Sequence, residues 1–230
     1  GYTTNDELND MTFQRYKLIN RATDRIDSTF FAMWTDPDLG CAFDDYIGCN
    51  IERSLMVLYN QDNQDGQPAC ACAGGSPTYC SNIPILGVDY FRGPLNADGE
   101  EIGMSSFMYY NNGGANPPPP PGTDDPSVDV EYYRYITGSW KDGSPLTYGG
   151  NGKGGTTNTK YAFPDEADKP KPAWSMASEN LPNGDRRTLQ ASGPFRLNPG
   201  AVNELIIGIP WVPDIDYPNP SFQDIFRADD

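Results

Sequence analysis

Four aspartates and two cysteines crowd the stretch WTDPDLGCAFDDYIGCN, residues 34–50, directly after the aromatic run STFFAMW. Asp36, Asp38, Asp44 and Asp45 offer hard carboxylate oxygens at short spacing, and Gly40 and Gly48 let the chain fold around an ion. Calcium takes roughly six to eight oxygens in a flexible shell, whereas magnesium is rarely caged by protein ligands alone. Carboxylates this close repel one another unless a cation sits among them. Calcium is therefore the expected cofactor, with these four aspartates as its ligands. The competing reading is a solvated acidic turn stapled by a disulfide. An EF-hand is excluded by spacing: Gly40 stands at the third ligand position, Cys41 at the glycine position and Ile47 where the closing glutamate belongs.

Other acidic and glycine-rich stretches carry less. Asp62 and Asp65 in NQDNQDG are further possible ligands, but Asn-Asp-Gly clusters are the ordinary material of turns. Asp98, Glu100 and Glu101 decorate a hairpin signalled by Asp98-Gly99. The run GGNGKGG, residues 149–155, lacks the spacing of a phosphate loop and reads as a flexible loop. Arg186 or Arg187 is placed to pair with an acid of the 36–45 stretch, or to lie on a strand face.

Histidine is absent from the chain, which excludes Ser-His-Asp and Cys-His nucleophile systems and imidazole metal sites. A glycosidase would need two carboxylates facing each other across a cleft, and Trp140, Trp174 and Tyr148 could stack on sugar rings or simply fill a core. Binding is favoured over catalysis. The net charge of −16 argues against nucleic acid and anionic membranes as partners. No apolar run approaches the length of a membrane span; the longest, LIIGIPWV, is far too short.

The five cysteines, Cys41, Cys49, Cys70, Cys72 and Cys80, show no zinc spacing and read as a disulfide framework in an exported protein. Cys41 and Cys49 bracket the acidic stretch and are expected to staple it. Cys80 is expected to reach Cys70 or Cys72 across a Gly-Gly-Ser-Pro turn.

The elements that would position these residues are strands. Residues 11–20, 27–34, 51–60, 83–91 and 104–110 are rich in β-branched and aromatic residues and are separated by turn clusters. TLQASGPFRL and NELIIGIPWV flank Pro199-Gly200 and read as a terminal β-hairpin whose second strand is buried on both faces. One internal helix is expected in DDPSVDVEYYRYITG, capped by Asp125, with Pro126 in its first turn and Gly138 at its end. Pro117 to Pro121 must be an extended loop. Residues 139–185 show no periodicity, which marks a functional or mobile loop. The expected architecture is all-β: an antiparallel, jelly-roll-like β-sandwich with one or two short helices and long loops. It spans 1–220 as a single domain. Ser221 and Asp224 then form a capping-box pattern, so 221–230 reads as the start of a helix leading into the rest of a longer chain.

Several stretches together resemble a recurrent module of large exported surface proteins, of the type IX secretion type, in Bacteroidetes-type bacteria. They are MTFQRYKLINRATDRIDSTFFAMWTDPDLG, DDYIGCN, GVDYFRGPL, GMSSFMYYNN, YYRYITGSWKDGSPLTYGGNG and GDRRTLQASGPFRLNPGAVNELIIG, in consistent order across most of the chain. The resemblance implies a secreted, cell-surface or matrix role as one segment among several, and it brings no catalytic residues to carry over. Its signature looks like D-x-D-L-G followed by D-D-Y-x-G-C; Cys41 and the 70–80 cysteine segment look like additions of this chain. The functional expectation is a non-enzymatic structural or adhesion module at the cell surface, with an acidic loop stabilised by calcium. Its partners would be other segments of the parent chain, other surface proteins or glycans. A carbohydrate-binding or glycan-processing accessory domain is the alternative.

Overall fold

A computed structural model describes residues 6–115, 117–164, 174–213 and 215–217. The helix start expected at 221–230 and residues 165–173 lie outside that set. Eight strands are described: β1 (Met11–Ile19), β2 (Ile26–Thr35), β3 (Asp45–Asn50), β4 (Leu55–Asn60), β5 (Ile85–Arg92), β6 (Ser106–Asn111), β7 (Arg186–Leu197) and β8 (Val202–Val212). One helix, α1 (Asp129–Ile136), lies between β6 and β7. The strands form two antiparallel sheets, β1-β8-β5-β4-β3 and β2-β7-β6. This is the expected all-β sandwich. First pairs with last and second with second-last, as in a jelly roll, whereas β3, β4 and β5 run as a plain meander.

The inner faces meet through aromatic side chains. The Phe31 ring of β2 packs against Tyr16 of β1 at 5.2 Å and Tyr90 of β5 at 6.1 Å, and the Tyr90 hydroxyl donates to the Gln190 carbonyl of β7 at 2.7 Å. β1 is the exposed edge of its sheet and carries Arg15 and Lys17 beside Glu204, a charged edge that discourages pairing with another chain. β3 and β4 are buried along their whole length.

Four sequence expectations need correction. The run after Ile51 begins as a turn, and its strand starts only at Leu55. β7 and β8 are not a hairpin. The turn at Pro199-Gly200 carries the chain from one sheet to the other, and each strand finds partners on both edges among strands remote in sequence. Nor is β8 buried on both faces throughout, because Leu205 and Ile207 are buried while Glu204 and Ile206 are half-exposed. Helix α1 starts later than Asp125. Glu131 accepts hydrogen bonds from the Ser127 backbone N–H at 2.7 Å and from its hydroxyl at 3.0 Å. Gly138, at φ +80°, ends it: Gly138 N–H reaches the Tyr135 carbonyl and Ser139 N–H the Arg134 carbonyl, a Schellman arrangement.

The described part of 139–185 is neither loose nor peripheral. It seals the edges that both sheets leave open. Phe107 of β6 exchanges backbone hydrogen bonds with Lys160 and Ala162, and Cys49 of β3 donates to the Phe163 carbonyl at 3.1 Å. The glycine run expected to be flexible is pinned by three buried aromatic donors. Trp174 Nε1 donates to Gly150 O, Tyr109 Oη to Asn151 O and Trp140 Nε1 to Gly152 O, at 2.8–2.9 Å. Trp140 and Trp174 are fully buried, which settles both as core residues. Gly152 has φ +81°, and a Cβ there would lie 2.7 Å from Leu146 Cδ1.

Trp140→Ala removes a buried ring and strips the Gly152 carbonyl of its donor. It is expected to cost about 3–5 kcal/mol in denaturant unfolding; a loss under ~1 kcal/mol would show that this loop does not support the core.

Candidate functional site

The acidic stretch is the crossing between the two sheets. The chain leaves β2 at Thr35 and enters β3 at Asp45, so residues 36–44 span one end of the sandwich. The second half of the stretch is therefore not a loop: DYIGCN is strand β3, buried throughout. Sequence reading missed this because a hexapeptide with Asp, Gly and Asn in it has little intrinsic strand preference. Packing from both sides makes it a strand.

This crossing divides the four candidate ligands into two groups. Asp36 and Asp38 stay outside with Asp185, and carboxylate oxygens of the three lie within 4.8 Å of one another. Arg187 sits in this group, 3.1 Å from Asp36 and 2.9 Å from Asp185, while Asn112 Nδ2 donates to Asp185 Oδ2 at 2.7 Å. Partial burial, then the charges of Asp36 and Asp185, push the Asp38 carboxyl up; Arg187 opposes them. The arginine that pairs with the acidic stretch is thus Arg187. Arg186 points inward, buried, and donates to the carbonyls of Gly184 and Pro182.

Asp44 and Asp45 go inside with Asp65. Asp65 is wholly buried and binds two separate loops: Oδ1 accepts Cys41 N–H at 2.8 Å and Oδ2 accepts Tyr79 N–H at 2.5 Å. Gly40 makes the approach possible, since at φ +75° a Cβ there would stand 1.9 Å from Asp65 Oδ2. Asp44 Oδ2 accepts Gly66 N–H at 2.7 Å, and Asp45 Oδ2 accepts Leu39 N–H at 2.9 Å. The second oxygens of Asp44 and Asp45, and the amide oxygen of buried Asn60, have no hydrogen-bond donor among the described residues. Burial, against the Gly66 N–H, and then the charges of Asp65 and Asp62 push the Asp44 carboxyl up. Burial raises Asp45 furthest, to about 9, with Asp44, Asp65 and Asp38 adding to it and the Leu39 N–H opposing.

Two disulfides hold this end, Cys41–Cys72 and Cys70–Cys80. Cys80 pairs with Cys70, one of the two partners expected for it, and the expected Cys41–Cys49 staple is absent. Cys49 is carried into the sheet by β3, where its thiol lies 3.3 Å from the Ala162 carbonyl. Cys41 instead reaches across to the excursion after β4. Disulfides of this kind form and persist in oxidising, non-cytoplasmic compartments. No helix among the described residues is long and apolar enough to cross a membrane.

Beside the crossing runs a cleft of about 740 Å³. Phe43, Asn111, Asn112, the prolines 117–120, Asn183 and Arg186 are among its walls, and half of the Phe43 surface is exposed. A smaller cleft of about 270 Å³ opens over Asp44 and Asp62 and shares Phe43 and Asn183 with the first. Among the aromatics considered for sugar stacking, Tyr148 alone is exposed. No family model, curated protein or solved structure matches this chain.

Asp45 predicts a pH dependence. Its folded-state value lies above the unfolded one, so the fold binds the extra proton between about pH 4 and pH 9. That contribution is complete below the unfolded value and is lost as pH rises through the folded value. In chelator, the melting temperature is expected to fall across this window and Asp45→Asn to flatten the slope. Parallel profiles for the two proteins would contradict it.

Proposed function

We propose that this chain is a non-catalytic module of an exported surface protein, serving adhesion or structural assembly, and that calcium stabilises its acidic crossing. The observation that carries the reading is the concentration of restraint at one end of the sandwich. The Cys41–Cys72 disulfide and one fully buried aspartate tie the crossing between the sheets to the excursion after β4, and Cys70–Cys80 closes that excursion on itself. Such a stiff end presents a fixed surface at little entropic cost on binding. Asp44, Asp45 and Asp65 take their hydrogen bonds from backbone N–H groups, and carboxylates gathered in this way favour a divalent cation. The partners fitting this reading are other segments of the parent chain or neighbouring surface proteins, in the extracellular space.

The test is thermal melting of the chain in calcium chloride and in chelator. Ligand at ~100 times its dissociation constant adds about 2.7 kcal/mol, which for a chain of this size raises the melting temperature by roughly 5–10 °C. Superimposable melts would refute the calcium part of the reading.

A glycan ligand is the second reading, favoured by the 740 Å³ cleft in which exposed Phe43 stands among the amides of Asn111, Asn112 and Asn183. Aromatic faces and side-chain amides are the groups that hold sugar rings and their hydroxyls. Screening the folded chain on a glycan array is expected to give binding that Phe43→Ala abolishes. An array without signal, or signal indifferent to Phe43→Ala, would remove this reading.

A further inference from the structure

We propose that the cation is held by Asp44, Asp45 and Asn60, inside the disulfide-tied end, and not by the exposed group of Asp36, Asp38 and Asp185. This assignment rests on the calcium reading given above and adds to it the ligands. Asn60 ends β4 directly opposite Asp45 in the β3·β4 register. Directly opposed residues of an antiparallel pair project to the same face with Cβ atoms about 5 Å apart. Asn60 is fully buried; its Nδ2 donates to the Asp62 carbonyl at 3.1 Å, but its Oδ1 meets no donor among the described residues. Oδ1 of Asp44 and Oδ1 of Asp45 are in the same condition. A buried acceptor left without a donor costs about 1–3 kcal/mol, more when charged. Three of them on adjoining residues therefore call for a common partner.

A proton is one candidate. Shared between Asp45 and Asn60, it would satisfy two of the oxygens. It would leave Asp44 Oδ1 without a donor, and the charges of Asp44 and Asp65 without a counter-charge. A divalent cation answers all three oxygens at once and neutralises the pocket. The oxygen set, two carboxylates and a neutral amide supplemented by carbonyls and water, is of the hard and pliable kind that suits calcium. The 270 Å³ cleft lined by Asp44 and Asp62 opens the Asp44 side of this end to solvent.

In the outer group Asp185 Oδ1 also lacks a hydrogen-bond donor, but a cation already stands 2.9 Å from it. Arg187 already lies against Asp36 and Asp185, and Asn112 donates to Asp185. A guanidinium among the carboxylates takes the place of a metal ion. Arg186 lies within electrostatic reach of Asp45, but its guanidinium donates to the Gly184 and Pro182 carbonyls and leaves the three inner oxygens without a donor.

The test is calorimetric titration of the whole chelator-treated chain with calcium chloride, alongside melts of each variant. Asp36→Asn with Asp38→Asn is expected to leave affinity unchanged. Asp44→Asn and Asp45→Asn are each expected to weaken it about tenfold or more, as loss of ligand charge does. Asp45→Asn keeps an oxygen for the Leu39 N–H, so its calcium-free melt should be no lower than that of the parent chain. Asn60→Asp supplies an independent variant, expected to tighten calcium binding while lowering the calcium-free melting temperature. Affinity lost in the Asp36/Asp38 variant but kept in the Asp44 and Asp45 variants would overturn the assignment and leave the calcium reading standing. Affinity indifferent to Asn60→Asp would remove Asn60 from the ligand set. Absence of binding in the parent chain would overturn the assignment and the calcium reading together.

Discussion

A sandwich built from sheets of five and three strands has open edges, and the backbone groups on those edges must be paired. That constraint organises this molecule. Strands β3 and β6 end their sheets on the same side, and the segment around 158–164 bonds to both, through Lys160 and Ala162 on one and Phe163 on the other. Irregular chain can replace a strand here only if it is held still. The fixing comes from Trp140, Trp174 and Tyr109, whose polar atoms all find carbonyls of the glycine run 150–152. Glycines at positive φ let three successive carbonyls turn inward, and the rings that bind them fill the adjoining core.

The opposite kind of problem sits at the sheet crossing, where charge is buried instead of apolar surface. Asp44, Asp45 and Asp65 are withdrawn from water, and each is partly repaid by backbone N–H groups of Gly66, Leu39, Cys41 and Tyr79. Those bonds set the path of two connections, the β2–β3 crossing and the β4–β5 excursion, so the carboxylates are structural whatever else they bind. They also leave the pocket short of positive charge. The two disulfides hold together an end that its own electrostatics would push apart.

Outside that pocket the same stretch behaves differently. Asp36 and Asp38 lie at the surface against the partly buried Arg187 and Asp185, where solvent screens the outer charges. A single acidic sequence thus yields an outer ion-pair cluster and a buried group of carboxylates bonded only by backbone N–H groups. The cleft beside Phe43 borders this end, so the surface available to a partner rests on the most restrained part of the fold.

The sequence by itself determined the architecture at the level of elements. Alternating aromatic and β-branched runs between turn clusters specify strands whatever their partners, so β1, β2, β5, β6, β7 and β8 were all legible. Gly138 as the stop of α1 was also a local matter, as was the reach of Cys80 back to the 70–72 pair, although the choice of Cys70 was not. Everything that depends on which strands meet was decided by the tertiary structure. β7 and β8 look like a hairpin because a turn joins them, yet they belong to opposite sheets. Cys41 and Cys49 look like a staple because they are close in sequence, yet β3 carries Cys49 into the core. Asp36, Asp38, Asp44 and Asp45 look like one ligand set, yet the crossing sends two out and two in. Asn60 gave almost no local signal, and Asp65, weighed as a further possible ligand, was outweighed by the turn reading, since an aspartate in a turn is commonplace. Their burial and their neighbours come from pairing across the sheet, and pairing between distant segments is a property of the folded chain.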